Sequence, residues 1–125
     1  MKKMLAILAA AAMLCGMTTV SAAETYQKGD VNMDGKITVE DAQLVLEDAF
    51  YYYMGLGTSF SQEQASLATI SGVTTKGLGE SEALPYSICD AQIILIYTVE
   101  CLSDPTLLPS DFFARYEDWN KMYGF

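Results

Sequence analysis

Residues 30–41 read DVNMDGKITVED, which puts oxygen-bearing side chains at alternate positions along one short segment. A hard cation such as Ca2+ takes six to eight oxygens at about 2.3–2.6 Å, and a twelve-residue loop can supply them by winding round the ion. With Asp30 as the first position, Asp30, Asn32 and Asp34 stand at one, three and five. Gly35, at six, permits the sharp turn that residues with a Cβ resist. Lys36, at seven, offers its backbone carbonyl, because its side chain has no acceptor. Thr38, at nine, can coordinate directly or through water. Asp41, at twelve, closes the shell from the start of the next element, and Ile37, at eight, points to the core. Carboxylates gathered this closely repel one another unless a cation neutralises them. An ordinary Asp/Asn/Gly surface turn explains Asn32 to Gly35. It leaves Asp30, Ile37 and Asp41 at their offsets unexplained, and the capped helix after them.

That helix is predicted over Ala42–Tyr53, with Thr38 as N-cap and Glu40 and Asp41 in the first turn, where carboxylates suit the dipole. Ala42, Val45, Leu46, Ala49, Phe50 and Tyr53 recur at three- and four-residue steps and form its expected apolar face. Gly55 and Gly57 end it. A second helix is expected over Thr58–Ile70, capped by Ser59 or Ser61, and Ser71–Leu84 reads as loop. From Asp90 to Cys101 a third helix, capped by Ser87, is apolar nearly all round, the pattern of a buried helix. Pro105 and Pro109 break the chain, and Ser110–Met122 forms a short last helix carrying Phe112, Phe113, Tyr116 and Trp119. The run DAQLVL at 41–46 returns as DAQIIL at 90–95, each three residues after a hydroxyl, Thr38 or Ser87. Such duplication signals paired loop-helix units that bury their apolar faces together.

The chain has 125 residues, 51% of them hydrophobic. Lys2 and Lys3, the apolar run from Leu5 to Leu14 and the small residues Ser21-Ala22-Ala23 form a secretory signal peptide over 1–23, too short for a membrane span. Its loss takes the formal net charge from −9 to −11. So acidic a chain, with scattered Lys28, Lys36, Lys76, Arg115 and Lys121, offers no basic stripe for nucleic acid. With 0 histidines, Ser-His and Cys-His catalysis and most catalytic zinc sites are excluded. Cys89 and Cys101, if on one helix, are about 18 Å apart along its axis, beyond a disulfide's reach. They read as small buried residues, which leaves a metal as the staple for a modest core. Little room remains for a substrate cleft, and the chain is read as no enzyme.

The closing Asp41 in place of the usual EF-hand Glu, the Gly29-Asp30-Val31-Asn32 opening and the Asp-Ala-Gln start of both repeats resemble dockerin domains. The resemblance is specific over Gly29–Tyr53 and weaker over Ser61–Leu102. It implies an all-α fold: two calcium loop-helix (F-hand) units joined by a middle helix over 24–105. An aromatic extension, 106–125, would then pack on that domain through a short C-terminal helix. It implies Asp30, Asn32, Asp34, Lys36 (backbone), Thr38 and Asp41 as Ca2+ ligands. It also implies an extracellular role, docking to a cohesin-like partner in a polysaccharide-degrading assembly. Positions ten and eleven, which contact cohesin in the family, are Val39 and Glu40 here, with Ile88 and Cys89 in the second unit; none is Ser or Thr. The second loop departs further, with Gly79, Ser81 and Ala83 at the ligand positions and Leu84 for the glycine. Two readings of it stand: Asp90 serves as a helix-start charge, or Glu80, Glu82 and Asp90 share an ion. The alternative to docking is a free-standing secreted calcium-binding protein with another surface role, such as polysaccharide or cell-surface binding.

Overall fold

The computed structural model describes residues 25–117 and 121. The expected signal peptide and Trp119 lie outside them. The element order is α1 (Val39–Tyr53), α2 (Gln62–Ala68), β1 (Thr75–Lys76), β2 (Ala83–Leu84), α3 (Ile88–Ser103) and α4 (Pro109–Phe113). The chain is therefore mainly helical, with one very small sheet.

The three longer helices each start at a hydroxyl residue, Thr38, Ser61 or Ser87. Ser61, one of the two expected caps, accepts the Gln64 N–H, while the Gln64 side chain accepts the Ser61 N–H at 3.1 Å. Ser87 caps α3 by accepting from the Cys89 N–H at 3.2 Å, and Asp90 returns a bond to the Ser87 N–H at 2.7 Å. These reciprocal bonds satisfy donors that an opening helix turn leaves free.

Two stretches differ from expectation. Residues 71–84, read as loop, carry an antiparallel ladder pairing Thr75 with Leu84 and Lys76 with Ala83. Two residues per strand are too few for an alternating pattern to register. Pro109 begins α4 instead of breaking the chain. At the first helical position the missing N–H costs nothing and the fixed φ suits the helix. α4 ends at Phe113 and 114–117 form a turn; most of the remaining stretch of the helix expected to run to Met122 lies outside the described residues.

α1 and α3 form the main packing pair. Ala49, Phe50 and Tyr53 near the end of α1 line one cleft with Ser87, Ile88 and Cys89 at the start of α3. The loop before α1 shares another cavity with Tyr97 and Cys101 near the end of α3, so the two helices run antiparallel. Between them lie Val45, Ala49, Tyr52, Ile93, Ile94 and Tyr97, closed by Ala68 and Ile70 from α2 and the segment after it. Phe112 and Phe113 belong to the same core, 0% and 3% exposed, with their rings against Tyr97. Gly29, at φ +93°, fits under Phe113, and a Cβ there would lie 2.8 Å from the ring. The aromatic segment thereby packs directly on the residue just before the acidic loop.

The helices also carry apolar residues that are not buried. Leu46, Phe50 and Tyr53, expected in the core, are about half exposed, and Asp48 and Tyr52 take inward places in α1. In α3, Leu95, Val99 and Leu102 face outward, so this helix is not buried all round. Cys89 and Cys101 are half-buried free thiols.

Candidate metal centre

The 30–41 loop is tied together by its own carboxylates. Asp30 accepts the Asp34 N–H through Oδ1 at 3.2 Å and the Gly35 N–H through Oδ2 at 2.9 Å. Asp34 accepts the Lys36 N–H at 2.8 Å and the Asn32 side-chain amide at 3.2 Å. Asp41 reaches back from the first turn of α1 to the N–H groups of Asn32, at 3.0 Å, and Thr38, at 2.7 Å. Gly35 turns the chain at φ +87° with open space where a Cβ would stand. Behind the loop, Val31 is fully buried and Ile37 packs partly against the core. Gly29 N–H donates to the Leu67 carbonyl at 2.8 Å, which fixes the loop to α2.

This winding brings one oxygen from each of Asp30, Asp34 and Asp41 within 4.8 Å of the others. Asp30 and Asp41 are 2% and 0% exposed, whereas Asp34 is open to solvent. Burial pushes the carboxyls of Asp30 and Asp41 above the ordinary value, with the charges of neighbouring aspartates adding to it. The Lys36 N–H, first among several causes, holds Asp34 below it. Two buried acids and one exposed acid facing a common point carry an electrostatic cost that a cation removes.

Thr38 tests the fit. Its Oγ1 faces the Asp41 N–H in a capping-box arrangement, yet it is buried and makes no hydrogen bond of full geometry among the described residues. Buried hydroxyls are nearly always bonded. The equivalent Ser87 Oγ in the second unit is bonded on both sides, to the Cys89 N–H and to Asp90. This oxygen belongs to position nine of the loop, one of the expected ligand positions. Asn32 and Lys36, also expected as ligands, lie on the same loop between the carboxylates. The three aspartates can hold a metal ion.

The second unit is built differently. Asp90, 0% exposed, accepts the N–H groups of Ile70 at 2.9 Å, Ser71 at 2.7 Å and Ser87 at 2.7 Å. Burial still pushes its carboxyl up, against the lowering effect of those bonds. Glu80 and Glu82 do not join it. They sit in the β1–β2 hairpin beside Tyr52, whose hydroxyl donates to the Glu82 carbonyl at 2.5 Å. Among the described residues the structure does not assemble Glu80, Glu82 and Asp90 into a site. The reason is that backbone donors from the α2–β1 connection already occupy Asp90.

Sequence reasoning missed one buried carboxylate. Asp48, 3% exposed, accepts from the Ser59 N–H at 2.8 Å, Ser59 Oγ at 2.9 Å, Thr58 Oγ1 at 2.7 Å and the Tyr86 hydroxyl. Burial raises its carboxyl, but the four donors together outweigh that and hold it below the ordinary value. Tyr86 is pushed beyond the usual phenol range by its own burial and by Asp48. The signal was present: Asp48 lies three residues after Val45 and four before Tyr52, on the inward stripe.

Val39 and Glu40 are both exposed at the start of α1. Val39 opens a groove of about 220 Å³ whose lining is Val39, Ala42, Gln43 and Leu46 from α1 and Ile88, Ala91, Gln92 and Leu95 from α3. The two sets match one to one at the repeat offset. The match continues along both helices, with Phe50 and Tyr53 answered by Val99 and Leu102, all four more than half exposed. Glu40, next in the chain to Val39, lines a separate hollow with Asn32, Leu44 and Glu47 and accepts from the Asn32 side-chain amide at 3.5 Å. No helix among the described residues is long and apolar enough to cross a membrane. No protein-family model, curated protein or solved structure matches this chain.

Proposed function

We propose that this chain is an exported, calcium-stabilised interaction module of the dockerin type, non-catalytic, that docks to a cohesin-like domain through the α1–α3 face. Asp30, Asn32, Asp34, Thr38 and Asp41 would hold Ca2+ with the Lys36 carbonyl, and the ion would supply structural charge neutralisation with no chemistry of its own. The observation that carries the reading is the duplicated outward apolar face that begins at Val39, next to the acidic loop. Solvent-facing apolar residues in register on two helices are unfavourable in isolation and mark a contact surface. The loop fixes the first turn of α1 through Asp41, so loading the ion orders that end of the face. Val39 and Ile88 in place of hydroxyls point to recognition by apolar contact, with Glu40 contributing charge on one side.

Immobilised cohesin domains exposed to the mature protein, in calcium and in chelator, test this. Calcium-dependent binding that Leu46→Asp abolishes is the expected result. Intact calcium uptake with no binding to any cohesin, together with retention on insoluble polysaccharide, would favour the free-standing alternative.

A further inference from the structure

The loop holds a reactive peptide as well as ligands. Asp34–Gly35 is the one Asp–Gly or Asn–Gly step in the sequence. An aspartyl side chain followed by glycine can cyclise, because no Cβ shields the glycine nitrogen. That nitrogen attacks Cγ of the protonated aspartate carboxyl, its proton and the carboxyl hydroxyl leave together as water, and a five-membered succinimide forms. Water then opens the ring at either carbonyl. One route restores aspartate, and the other gives isoaspartate, with the main chain running through Cβ and Cγ.

Here both residues are exposed, and nothing beyond the chain neighbours lies within 4 Å of where a Cβ on Gly35 would stand. The bonds that oppose cyclisation are the Gly35 N–H to Asp30 and the Lys36 N–H and Asn32 side-chain amide to Asp34. All end on carboxylates of the cluster. Without a cation, the mutual repulsion of the cluster favours local opening of this exposed loop, which frees the Asp34 carboxyl and the Gly35 nitrogen together. With Asp34 engaged on an ion, neither is free.

We propose that Asp34–Gly35 is a calcium-gated site of isoaspartate formation, so that time spent without the ion is recorded covalently in the loop. The proposal rests on calcium binding at this loop. Isoaspartate at position 34 adds a main-chain carbon between positions five and six and displaces the side-chain oxygen at five, so the altered loop binds the ion weakly or not at all.

The test incubates the mature protein in heavy-oxygen water, in chelator and in calcium, and maps residue 34 by peptide mass spectrometry and isoaspartyl methylation. Calcium uptake of fresh protein is measured separately by titration. The product should accumulate at residue 34 in chelator, and about a hundredfold more slowly at free calcium a hundredfold above Kd. Asp34→Glu, which keeps the carboxylate but cannot close a five-membered ring, should abolish the signal. No product in chelator, equal rates with and without calcium, or an undiminished signal in Asp34→Glu would overturn the proposal. If titration of fresh protein shows no calcium uptake, the underlying metal reading fails; normal uptake with no product sinks the isoaspartate inference alone.

Discussion

Asp30 and Asp41 do two jobs with one carboxylate each: they organise backbone N–H groups and face a shared point. Replacing either with alanine should remove the calcium-dependent increment of stability, about 3 kcal/mol at free calcium a hundredfold above Kd. Thermal melts in calcium and in EDTA check this, and equal shifts in variant and parent would refute it. Both carboxyls are raised by burial, and ligands must be deprotonated to bind. Calcium affinity should therefore begin to fall on acidification while pH is still above the ordinary carboxyl value of 3.8, as titrations across pH would show. Asp48 works with the opposite sign. Its folded-state carboxyl lies below the unfolded value, so its contribution is full above that value and is lost as pH falls through the folded one. Asp48→Asn should flatten the acid limb of stability in denaturant titrations run in EDTA. A limb as steep as the parent's would show that the bonds from Tyr86, Thr58 and Ser59 carry no linkage.

At the scale of elements, the two loop-helix units share a start but solve it differently. In the first, Asp41 faces the acid cluster and Thr38 Oγ1 makes no hydrogen bond of full geometry. In the second, Asp90 is spent on protein donors that tie α3 to the segment after α2. Asp90→Ala should cost about 3 kcal/mol or more, because it strands buried N–H groups, and calcium should not change that cost. Isothermal titration should accordingly give one ion per chain. Two ions would show that the second loop rearranges. The outward residues behave differently again. Leu95→Asp, at an exposed site, should change stability by about 0.5 kcal/mol or less while removing partner binding.

For the molecule as a whole, α4 is part of the core and no mere appendage, since Phe112 is fully buried and Phe113 lies over Gly29. Phe112→Ala should cost about 3–5 kcal/mol by chemical denaturation, through lost burial and the cavity left. The acidic loop, its closing Asp41, the caps Ser61 and Ser87 and the 49-residue-offset repeat were legible because each rests on local spacing: which atoms a turn or a helix start places beside one another. Local spacing cannot say which of two apolar stripes on a helix meets a neighbour. Leu46, Phe50 and Tyr53 obey the same periodicity as Val45, Ala49 and Tyr52, and only the antiparallel seating of α1 on α3 turned the first set outward. The fate of Asp90 was equally hidden, because its donors at Ile70 and Ser71 lie about twenty residues away along the chain. Local spacing set an acidic loop and a duplicated helix start. Tertiary packing decided which unit kept its carboxylates facing one another and which apolar residues stayed in water, because burial and long-range hydrogen bonds exist only once the helices have met.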